Sequence, residues 1–542
     1  MIFMSNDKLA AEELSKNLKE ISVAEFFEKN RHLLGYENST KAMLTVIKEL
    51  VDNSLDACEE AGILPNVSIS VKQIAENKFL IKAEDNGPGI VEDKLPLAFG
   101  KLLYGSKFHR LKQSRGVQGL GVHGAIMYSQ LTSGKPVTIT SSIGNSFISE
   151  IDLMIDVTKN EPHVISSKRE KNHEKWHGIK IEMEIEGRYI EKGQSVLEYL
   201  KETAIMNPYA KIVFSGPSGK VVFSRVVHNL PKPPKEIKPH PYGVELGILR
   251  RMARVTKSKN IVSFLKTDFS RVGKTSALQI CKLSKVSPQK KPVSLDHDEL
   301  TRLHKAMQEV KLVSPPTNCL SLLGEETIVK GLKKEIQAEQ FLSISRPPTV
   351  YRGRPFAVEC GIAYGGNLNP NQQAELLRFA NKVPLMYHQG DCAISEAVRE
   401  VDWRRYGLQQ PSGSLPIGPL VILVHFASVW VPFTSEGKQA IASYPDIIKE
   451  IKLALQDAGR ELKKYISGKR KSHEIQMRRN LFESYIPEAA SSISKISDVP
   501  KEKIVHGLEK ILKKGLKEID IEEESVEEGE KINEETRNQE KP

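Results

Sequence analysis

An acidic and an amide side chain stand one helical turn apart in ELVDNSLDA, residues 49–57 of this 542-residue chain. On a helix, Glu49, Asn53 and Asp56 fall at i, i+4 and i+7 and therefore share one face. A carboxylate one turn from a carboxamide suits a general base beside an oxygen ligand for Mg²⁺, because that ion takes few protein oxygens together with substrate phosphates. A solvated helix face is the alternative for this stretch taken alone. The opposite face is apolar, as in a buried amphipathic helix, and consists of Met43, Leu44, Ile47, Leu50, Val51 and Cys58.

A second stretch, DNGPGI at residues 85–90, follows an apolar run that predicts a buried strand. Asp85 would end the strand, and the glycines and proline after it predict a tight turn. A carboxylate at this place can accept a hydrogen bond from an adenine amino group. Gly87 and Gly89 lack the Cβ atoms that would block a flat base. An ordinary turn is the alternative for the stretch in isolation.

A third stretch, SRGVQGLGVHGA at residues 114–125, is rich in glycine and precedes an apolar helical run. Such a backbone can offer successive N–H groups and a helix N-terminus to phosphates. Gly105, Ser106 and Lys107 add a hydroxyl and a cation just upstream. Glycines also mark ordinary loops, so the order of the three stretches is more specific than the composition of any one.

In this order, ELVDNSLDA, DNGPGI and GVQGLGVHG resemble the GHKL ATPases, which include gyrase, mismatch-repair MutL, heat-shock chaperones and histidine kinases. In detail, these three stretches are similar in sequence to those of the B subunits of topoisomerase VI, and the resemblance extends to about residue 470. It implies an ATP site with Mg²⁺. In that site Glu49 would be the general base on the attacking water, Asn53 the Mg²⁺ ligand and Asp85 the adenine contact.

The resemblance also implies a loop that closes over the nucleotide and a lysine that reaches the γ-phosphate from a second domain. The loop VPFTSEGKQAIA, residues 431–442, makes Lys438 the candidate. One departure is visible, since many relatives carry a threonine where this chain has Ile179. Glu49 and Lys438 are the expected catalytic residues. The expected nucleotide-binding residues are Asn53, Asp85, Gly89, Ser106, Lys107, Arg115, Gly116, Val117, Gln118, Gly119, Leu120, Gly121, Val122 and Lys438.

The expected fold is α+β and multidomain, because a chain of this length is too long for one core. A GHKL (Bergerat) α/β sandwich with an N-terminal arm is expected first, and a proline-rich linker with a helical helix–two-turns–helix insert second. An α+β transducer domain with a long helix, a partner-binding segment and an acidic disordered tail would follow. The predicted ranges are 1–229, 230–310, 311–470, 471–517 and 518–542.

Inside the transducer, FAVECGIAY (356–364) predicts a strand, NQQAELLRFANKV (371–383) a helix, and residues 420–426 a buried strand. From Ile448 apolar residues recur three and four apart, which predicts a long helix with an apolar seam. Gly468 and the basic run at 469–473 are expected to interrupt the seam. A short amphipathic unit is expected at 501–516. The seam consists of Ile448, Ile451, Leu455, Ala458, Leu462 and Tyr465.

The excess positive charge is confined to one segment. The chain has a formal net charge of +11, and residues 250–291 hold twelve lysines and arginines against one acid, Asp268. This favours a polyanion such as duplex DNA as partner, although a solvated basic surface is the alternative. Gly273-Lys274-Thr275 lacks the upstream glycine of a P-loop and resembles instead a helix–two-turns–helix turn. Asp296 and Asp298 precede a helical pattern and predict a helix cap.

Composition excludes several classes of protein. No apolar run of about 18 residues is present, so no membrane-spanning helix is expected. The N-terminus shows no secretory pattern, and the five cysteines are an odd number without C-x-x-C spacing. We therefore expect a reducing, cytoplasmic and DNA-associated setting without structural zinc.

The function that the resemblance implies is an ATP-operated clamp that drives duplex passage as one component of a type II DNA topoisomerase. The ATPase domain would dimerise when nucleotide binds, and a separate cleaving A subunit would complete an A2B2 heterotetramer. The chain alone shows no pattern for a cleavage centre. A GHKL ATPase of mismatch repair and a non-hydrolytic DNA-binding scaffold remain as alternatives.

Overall fold

The computed structural model describes Ser15 and residues 21–105, 110–116, 120–435, 437–497 and 499–512. The chain divides into two compact units, Met1–Gly459 and Arg460–Pro542. The predicted acidic tail and most of the predicted N-terminal arm lie outside the described residues. Within the arm, helix α1 (Val23–Lys29) is capped by Ser22, whose side chain accepts a hydrogen bond from the Glu25 backbone.

The first unit begins with an eight-stranded sheet of strand order β5-β4-β3-β6-β2-β1-β7-β8. All neighbouring strands are antiparallel except β1 and β7, which are parallel. Buried residues alternate along β1, β2 and β4, as expected for a sheet with one covered face. The strands are β1 (Asn66–Ala75), β2 (Lys78–Asp85), β3 (Val137–Ile143), β4 (Phe147–Asp156), β5 (Glu161–Lys171), β6 (His177–Glu186), β7 (Lys211–Gly216) and β8 (Gly219–Phe223).

Helices α2 (Ser39–Glu60), α4 (Gly121–Ser133) and α5 (Val196–Met206) pack on this sheet, and α3 (Leu95–Gly100) packs on β4 and β5. Asn38 caps α2 by accepting a hydrogen bond from the Lys41 backbone at 2.9 Å. The apolar face of α2 is buried, as its periodicity predicts. The sheet and helices therefore hold residues 49–57 against β2.

A helical module follows the proline-rich linker. Its helices are α6 (Leu246–Val255), α7 (Ile261–Asp268), α8 (Lys274–Ser284) and α9 (His297–Glu309), and they enclose a separate hydrophobic core. Asp296 is the N-cap of α9 and forms a capping box with Glu299, which confirms the predicted cap.

The next region contains a six-stranded sheet in which β10, β11, β14, β12 and β13 are neighbours in that order and β9 pairs with β11. Strand β14 is buried along its whole length. Helices α10 (Glu325–Glu335) and α11 (Ala393–Glu400) accompany the sheet. The strands are β9 (Gln340–Ser345), β10 (Thr349–Tyr351), β11 (Arg354–Tyr364), β12 (Glu375–Ala380), β13 (Val383–Pro384) and β14 (Leu420–Ser428).

The helix predicted at 371–383 is wrong, because this stretch forms β12 and β13 joined by a turn. Glutamine, alanine and leucine favour a helix locally, but helix propensity is a weak preference that tertiary packing overrides. Here β12 pairs in parallel with β14, and four of its six residues are buried.

The predicted long helix is present as α12 (Pro445–Ser497). The predicted interruption of its apolar seam is confirmed, because residues 467–474 are all exposed. The helix continues through Gly468 and the basic run, and it contains Pro487. A glycine in a helix costs only about 1 kcal/mol relative to alanine, and the arginines and lysines around it are good helix formers. Ile451, Leu455, Ala458 and Leu462 of the predicted seam are buried. Residues 501–512 are also helical, in agreement with the predicted amphipathic unit.

All five cysteines, Cys58, Cys281, Cys319, Cys360 and Cys392, are buried and free. Among the described residues, no helix is both long and apolar enough to cross a membrane.

Candidate active site

A cavity of about 370 Å³ lies where α2, β2 and the first turn of α4 meet. The loop before α12 also reaches this cavity with Gly437, Lys438 and Gln439, although it is far from the other elements in sequence. The cavity therefore brings together most of the predicted site residues that the structure describes. They are Glu49, Asn53, Asp85, Gly89, Gly116, Leu120, Gly121, Val122 and Lys438.

The carboxylate of Glu49 lies against the first turn of α4. A Cβ atom at Gly121 would be 1.8 Å from Glu49 Oε2 and 2.6 Å from its Cδ, so glycine is what leaves room for the carboxylate. Gly121 is the first residue of α4, where backbone N–H groups have no partner inside the helix and favour anions. A carboxylate beside an anion-binding helix terminus is the arrangement required for a base next to a phosphate.

Asn53 lies one helical turn after Glu49 and lines the same cavity with an exposed side chain. Its amide makes no hydrogen bond with any described residue, so its carbonyl oxygen is available to a ligand. Lys48 also lines the cavity, and its Nζ donates to the carbonyl oxygen of Gly437 at 3.4 Å. Burial lowers the pKa of Lys48, while the neighbouring Glu49 and Asp52 oppose that shift. Sequence reasoning missed Lys48. Its position directly before Glu49 is the feature of the sequence that could have indicated a place beside the cavity.

Asp85 ends β2 at the cavity and is held by three donors. Its Oδ1 accepts from the backbone of Gly87 at 2.8 Å and of Ile179 at 3.3 Å, and its Oδ2 accepts from the Ser54 hydroxyl at 2.9 Å. Burial raises the pKa of Asp85, and these hydrogen bonds oppose the shift. Ile179 has no side-chain hydroxyl, but its backbone N–H donates to Asp85, and the hydroxyl of Ser54 donates as well. Sequence reasoning did not single out Ser54.

Two glycines allow close backbone contacts at the end of β2 and in the turn that follows it. Gly89 has φ +70°, and a Cβ atom there would lie 2.0 Å from the carbonyl oxygen of Ser142. Gly178 has φ +137°, and its Cβ atom would lie 2.0 Å from the carbonyl oxygen of Asp85 itself. Side chains at these positions would push β2 and its neighbours apart.

Lys438 enters the cavity from the loop before α12. Its backbone is left-handed, with φ +53°, and the residue is 9% exposed. Its Nζ donates to the carbonyl oxygen of Arg115 at 3.2 Å. The fold therefore places the ammonium of Lys438 in the same cavity as Glu49.

The side chain of Arg115 does not face the cavity, contrary to the expectation that it contacts the nucleotide. It is buried on the far side of the glycine-rich segment and forms ion pairs with Asp56, at 2.8 Å, and with Glu59. Asn207 and Tyr209 complete its surroundings. A guanidinium so deeply buried requires paired anions, and the last turn of α2 supplies them.

The predicted polar face of α2 is consequently divided. Glu49 and Asn53 line the cavity, whereas Asp56, one turn further along the axis, pairs with Arg115. The predicted residues Ser106, Lys107, Val117, Gln118 and Gly119 lie outside the described part of the chain.

Comparisons with known proteins agree with this geometry. Residues 38–155 match the family of histidine kinase-, DNA gyrase B- and HSP90-like ATPases, and residues 315–478 match the topoisomerase VI B subunit transducer family. The type 2 DNA topoisomerase 6 B subunit of Methanosarcina barkeri is 44% identical over 495 residues, which cover 90% of this chain and 80% of that protein. The corresponding protein of Archaeoglobus fulgidus is 45% identical over 489 residues, covering 89% and 80%.

The B subunit of Pyrococcus furiosus is 40% identical over 570 residues, which cover 95% of this chain and 99% of that protein. Among solved structures, the B subunit of Myxococcus xanthus DNA gyrase is 10% identical, with a TM-score of 0.41 over 81% of this chain and 95% of that chain. This structural similarity to gyrase is too low to support a conclusion about the present chain. The identity to the topoisomerase 6 proteins extends over nearly the whole chain, and this chain therefore belongs to the family of type 2 DNA topoisomerase 6 B subunits.

Proposed function

We propose that this chain binds and hydrolyses ATP to drive passage of one DNA duplex through a break made by a separate cleaving subunit. The observation that carries the proposal is the convergence of Glu49, Asn53 and Asp85 with Lys438 on one cavity. Because Lys438 comes from the transducer region, the occupant of the cavity and the position of that region are physically linked.

Recognition of the adenine ring is assigned to Asp85. Its Oδ2 accepts one hydrogen bond among the described residues, from Ser54, so an oxygen lone pair remains for an adenine amino group. Gly89 keeps the adjacent turn free of a side chain. The phosphates are assigned to the first turn of α4, whose N-terminus favours anions, and to the ammonium groups of Lys48 and Lys438.

Hydrolysis is assigned to Glu49 acting as general base. Its carboxylate accepts a proton from the attacking water, the water oxygen bonds to the γ-phosphorus, and the bond from that phosphorus to the ADP oxygen breaks. ADP and phosphate are the products. Lys438 stabilises the charge on the γ-phosphoryl oxygens, and since it comes from another region, it makes turnover depend on the position of the transducer.

The cofactor is proposed to be Mg²⁺, held by Asn53 and the phosphates. The free carbonyl oxygen of Asn53, one turn from Glu49, suits an ion that takes few protein oxygens. Mg²⁺ neutralises phosphate charge when bound. The remaining catalytic contributions described above come from the side chains of this chain.

We further propose the partners and the domain boundaries. The basic helical module would contact duplex DNA, the segment 471–517 would bind the cleaving A subunit, and nucleotide would dimerise the domain 1–229. Two chains and two A subunits would then form an A2B2 heterotetramer. The transducer would span 311–470 and include the first part of α12, after the linker and helical module of 230–310.

The test of the proposed function is the substitution Glu49→Gln. It removes the base but keeps the shape of the side chain, so hydrolysis should fall by about 10²–10⁴-fold while ATP still binds. Single-turnover hydrolysis and calorimetric ATP binding measure the two effects. Glu60→Gln, on the same helix but outside the cavity, is the matched control and should keep wild-type turnover. Equal loss of binding and turnover in Glu49→Gln would reassign this residue to a structural role.

A further inference from the structure

A strained turn joins β12 to β13 in the transducer region. Asn381 and Lys382 both have left-handed backbones, with φ +48° and +70°. Such conformations are uncommon outside glycine and persist where the surroundings fix them. The side chain of Asn381 is pinned to the backbone of Ser428, accepting from its N–H and donating to its carbonyl oxygen at 2.9 Å each.

The buried side chains of His425 and Glu359 fix the backbone of the same turn. The backbone N–H of Lys382 donates to Nε2 of His425 at 3.1 Å, which leaves Nδ1–H of that ring to donate to Glu359 Oε2 at 2.8 Å. Glu359 accepts in addition from the backbone of Gly324 at 2.7 Å. Both side chains of the pair are fully buried. A buried polar network with all these partners holds its members in one geometry.

In front of the turn, the Lys382 side chain crosses to the last turn of α2. Its Nζ donates to Glu59 Oε2 at 2.9 Å and to the Tyr209 hydroxyl at 3.3 Å. Glu59 pairs at the same time with Arg115. Burial alone would raise the pKa of Glu59, but the charges of Arg115 and Lys382 outweigh it and hold that pKa at about 2. Glu59 is therefore ionised between two cations.

Arg115 belongs to a short segment, 111–116, that is tied down on several sides. Gln113 exchanges two hydrogen bonds with the backbone of Ser321, at 2.7 and 3.1 Å, and Asn381 Nδ2 donates to the carbonyl oxygen of Ser114 at 3.1 Å. The carbonyl oxygen of Arg115 accepts from Lys438 Nζ. The next residue, Gly116, lines the cavity.

We propose that Lys382 is a positioning residue, which through Glu59 and Arg115 fixes the segment 111–116 and so sets where Lys438 lies in the nucleotide cavity. The proposal rests on the proposed function, since it takes the cavity as an ATP site with Lys438 on the γ-phosphate. The Glu359–His425 pair anchors Lys382 in the transducer sheet. Movement of that sheet is thereby transmitted to the glycine-rich segment by a second route, separate from the loop that carries Lys438.

The first test compares Lys382→Met with Lys334→Met in the full chain. Lys334 is a matched control, because its side chain is 6% exposed against 5% for Lys382, it also belongs to the transducer region, and it lies away from the cavity. Calorimetry gives the affinities for ADP and for a non-hydrolysable ATP analogue, and steady-state kinetics give kcat and KM.

In Lys382→Met, the preference for the analogue over ADP should fall by about tenfold, within the usual range of coupling between sites, with ADP affinity nearly unchanged. The kcat should fall with it. Lys334→Met should keep the wild-type preference. Three outcomes would overturn the proposal: an unchanged preference in Lys382→Met, an equal loss of affinity for both nucleotides, or the same loss in Lys334→Met.

A second variant keeps the test decisive where Lys382→Met folds poorly. Glu59→Gln retains the shape of the side chain and removes the charge between the two cations. If the pair acts as a unit, the double variant Lys382→Met/Glu59→Gln should lose no more analogue preference than the more damaged single variant. Additive losses would contradict the pairing.

Lys438→Ala separates this inference from the function on which it rests. Loss of the analogue preference in Lys438→Ala but not in Lys382→Met would leave the proposed function standing and remove the role of Lys382. An unchanged preference in Lys438→Ala would instead remove the γ-phosphate contact and with it the role of Lys382, whereas hydrolysis with Glu49 as general base is tested separately by Glu49→Gln.

Discussion

Asp52 is a buried carboxyl one residue before the cavity-lining Asn53, and the Tyr199 hydroxyl donates to it at 3.0 Å. Burial raises the pKa of Asp52 from 3.8 to about 6, while Lys48 opposes the shift and Glu49 adds to it. A raised pKa means that the protonated carboxyl favours the folded state. That contribution is fully present below pH 3.8 and is lost as the pH rises through about 6.

Asp52→Asn should remove this loss, because an amide cannot ionise. The free energy of unfolding of the variant relative to wild type should therefore increase by ~3 kcal/mol between about pH 3.5 and 7. Denaturant unfolding at several pH values measures the difference. Parallel pH profiles for the two proteins would show that burial does not perturb this carboxyl.

Sequence motifs predicted those cavity residues that are fixed by their position along a helix or at the end of a strand. Glu49 and Asn53 follow from helical spacing, and Asp85 follows from the turn after β2. The direction of Arg115 could not be predicted, because a glycine-rich segment leaves open which way its side chain turns. Its partners Asp56 and Glu59 become neighbours only when α2 and the segment are folded together.

At the scale of single elements, the start of α9 depends on a capping box. Asp296 accepts from the backbone of Glu299 at 2.8 Å, and Glu299 accepts from the backbone of Asp296 at 3.0 Å. Asp296→Ala should lower the free energy of unfolding, because the variant loses the side-chain oxygen that caps the helix. Asp298→Ala, in the same first turn but outside the box, should cost less. Chemical denaturation compares the two, and equal costs would mean that the helix dipole alone accounts for both.

The basic helical module should give DNA binding much of its salt dependence. Lys257, Lys259, Arg271 and Lys274 are exposed, so converting all four to glutamate should weaken duplex binding and reduce the salt slope by up to about 0.9 for each phosphate that is no longer neutralised. Binding isotherms at several salt concentrations measure the slope. A control with four exposed lysines of the first sheet converted should keep it: Lys72, Lys78, Lys168 and Lys171. An unchanged slope in the first variant would place the phosphate-binding surface elsewhere.

One element of the transducer region, the stretch 371–383, was predicted wrongly, and the reason is physical. In β12 the local preference for a helix lost to parallel pairing with the buried β14, a partner that lies more than forty residues later in the chain. The long helix α12 was predicted correctly, and it continues through Gly468 because the cost of one glycine is small against a long run of helix-favouring residues. The buried strand β14 was predicted correctly because a continuous apolar run of strand length is itself a strong signal.

At the scale of the whole molecule, the chain should bind ATP and DNA without cutting or relaxing supercoiled DNA. Strand cleavage requires a nucleophile beside an acidic Mg²⁺ cluster. The acidic pair Asp296 and Asp298 lies at the start of α9, where Asp296 is the cap. A gel relaxation assay with the purified chain, with and without a cleaving subunit, tests this. Relaxation by the chain alone would contradict the two-subunit assignment.

The same assembly can be used to locate the proposed contact. A truncation ending near Gly468 cuts α12 within its length and removes the exposed apolar residues Leu481, Phe482 and Tyr485. Assembly with the cleaving subunit should then be abolished in size-exclusion chromatography. Full assembly of the truncated chain would move the contact to another surface.

The five buried cysteines make the native protein poorly reactive toward thiol reagents. Burial raises the pKa of Cys58 and of Cys360 to about 12, which suppresses the thiolate that such reagents attack. Cys58 lies in α2, Cys281 in the helical module and Cys360 in the transducer sheet. Each region thus carries its own natural reporter, and the rate at which each thiol becomes alkylated measures how often that region opens. Addition of a nucleotide that clamps the cavity should slow the alkylation of Cys58 more than that of Cys281.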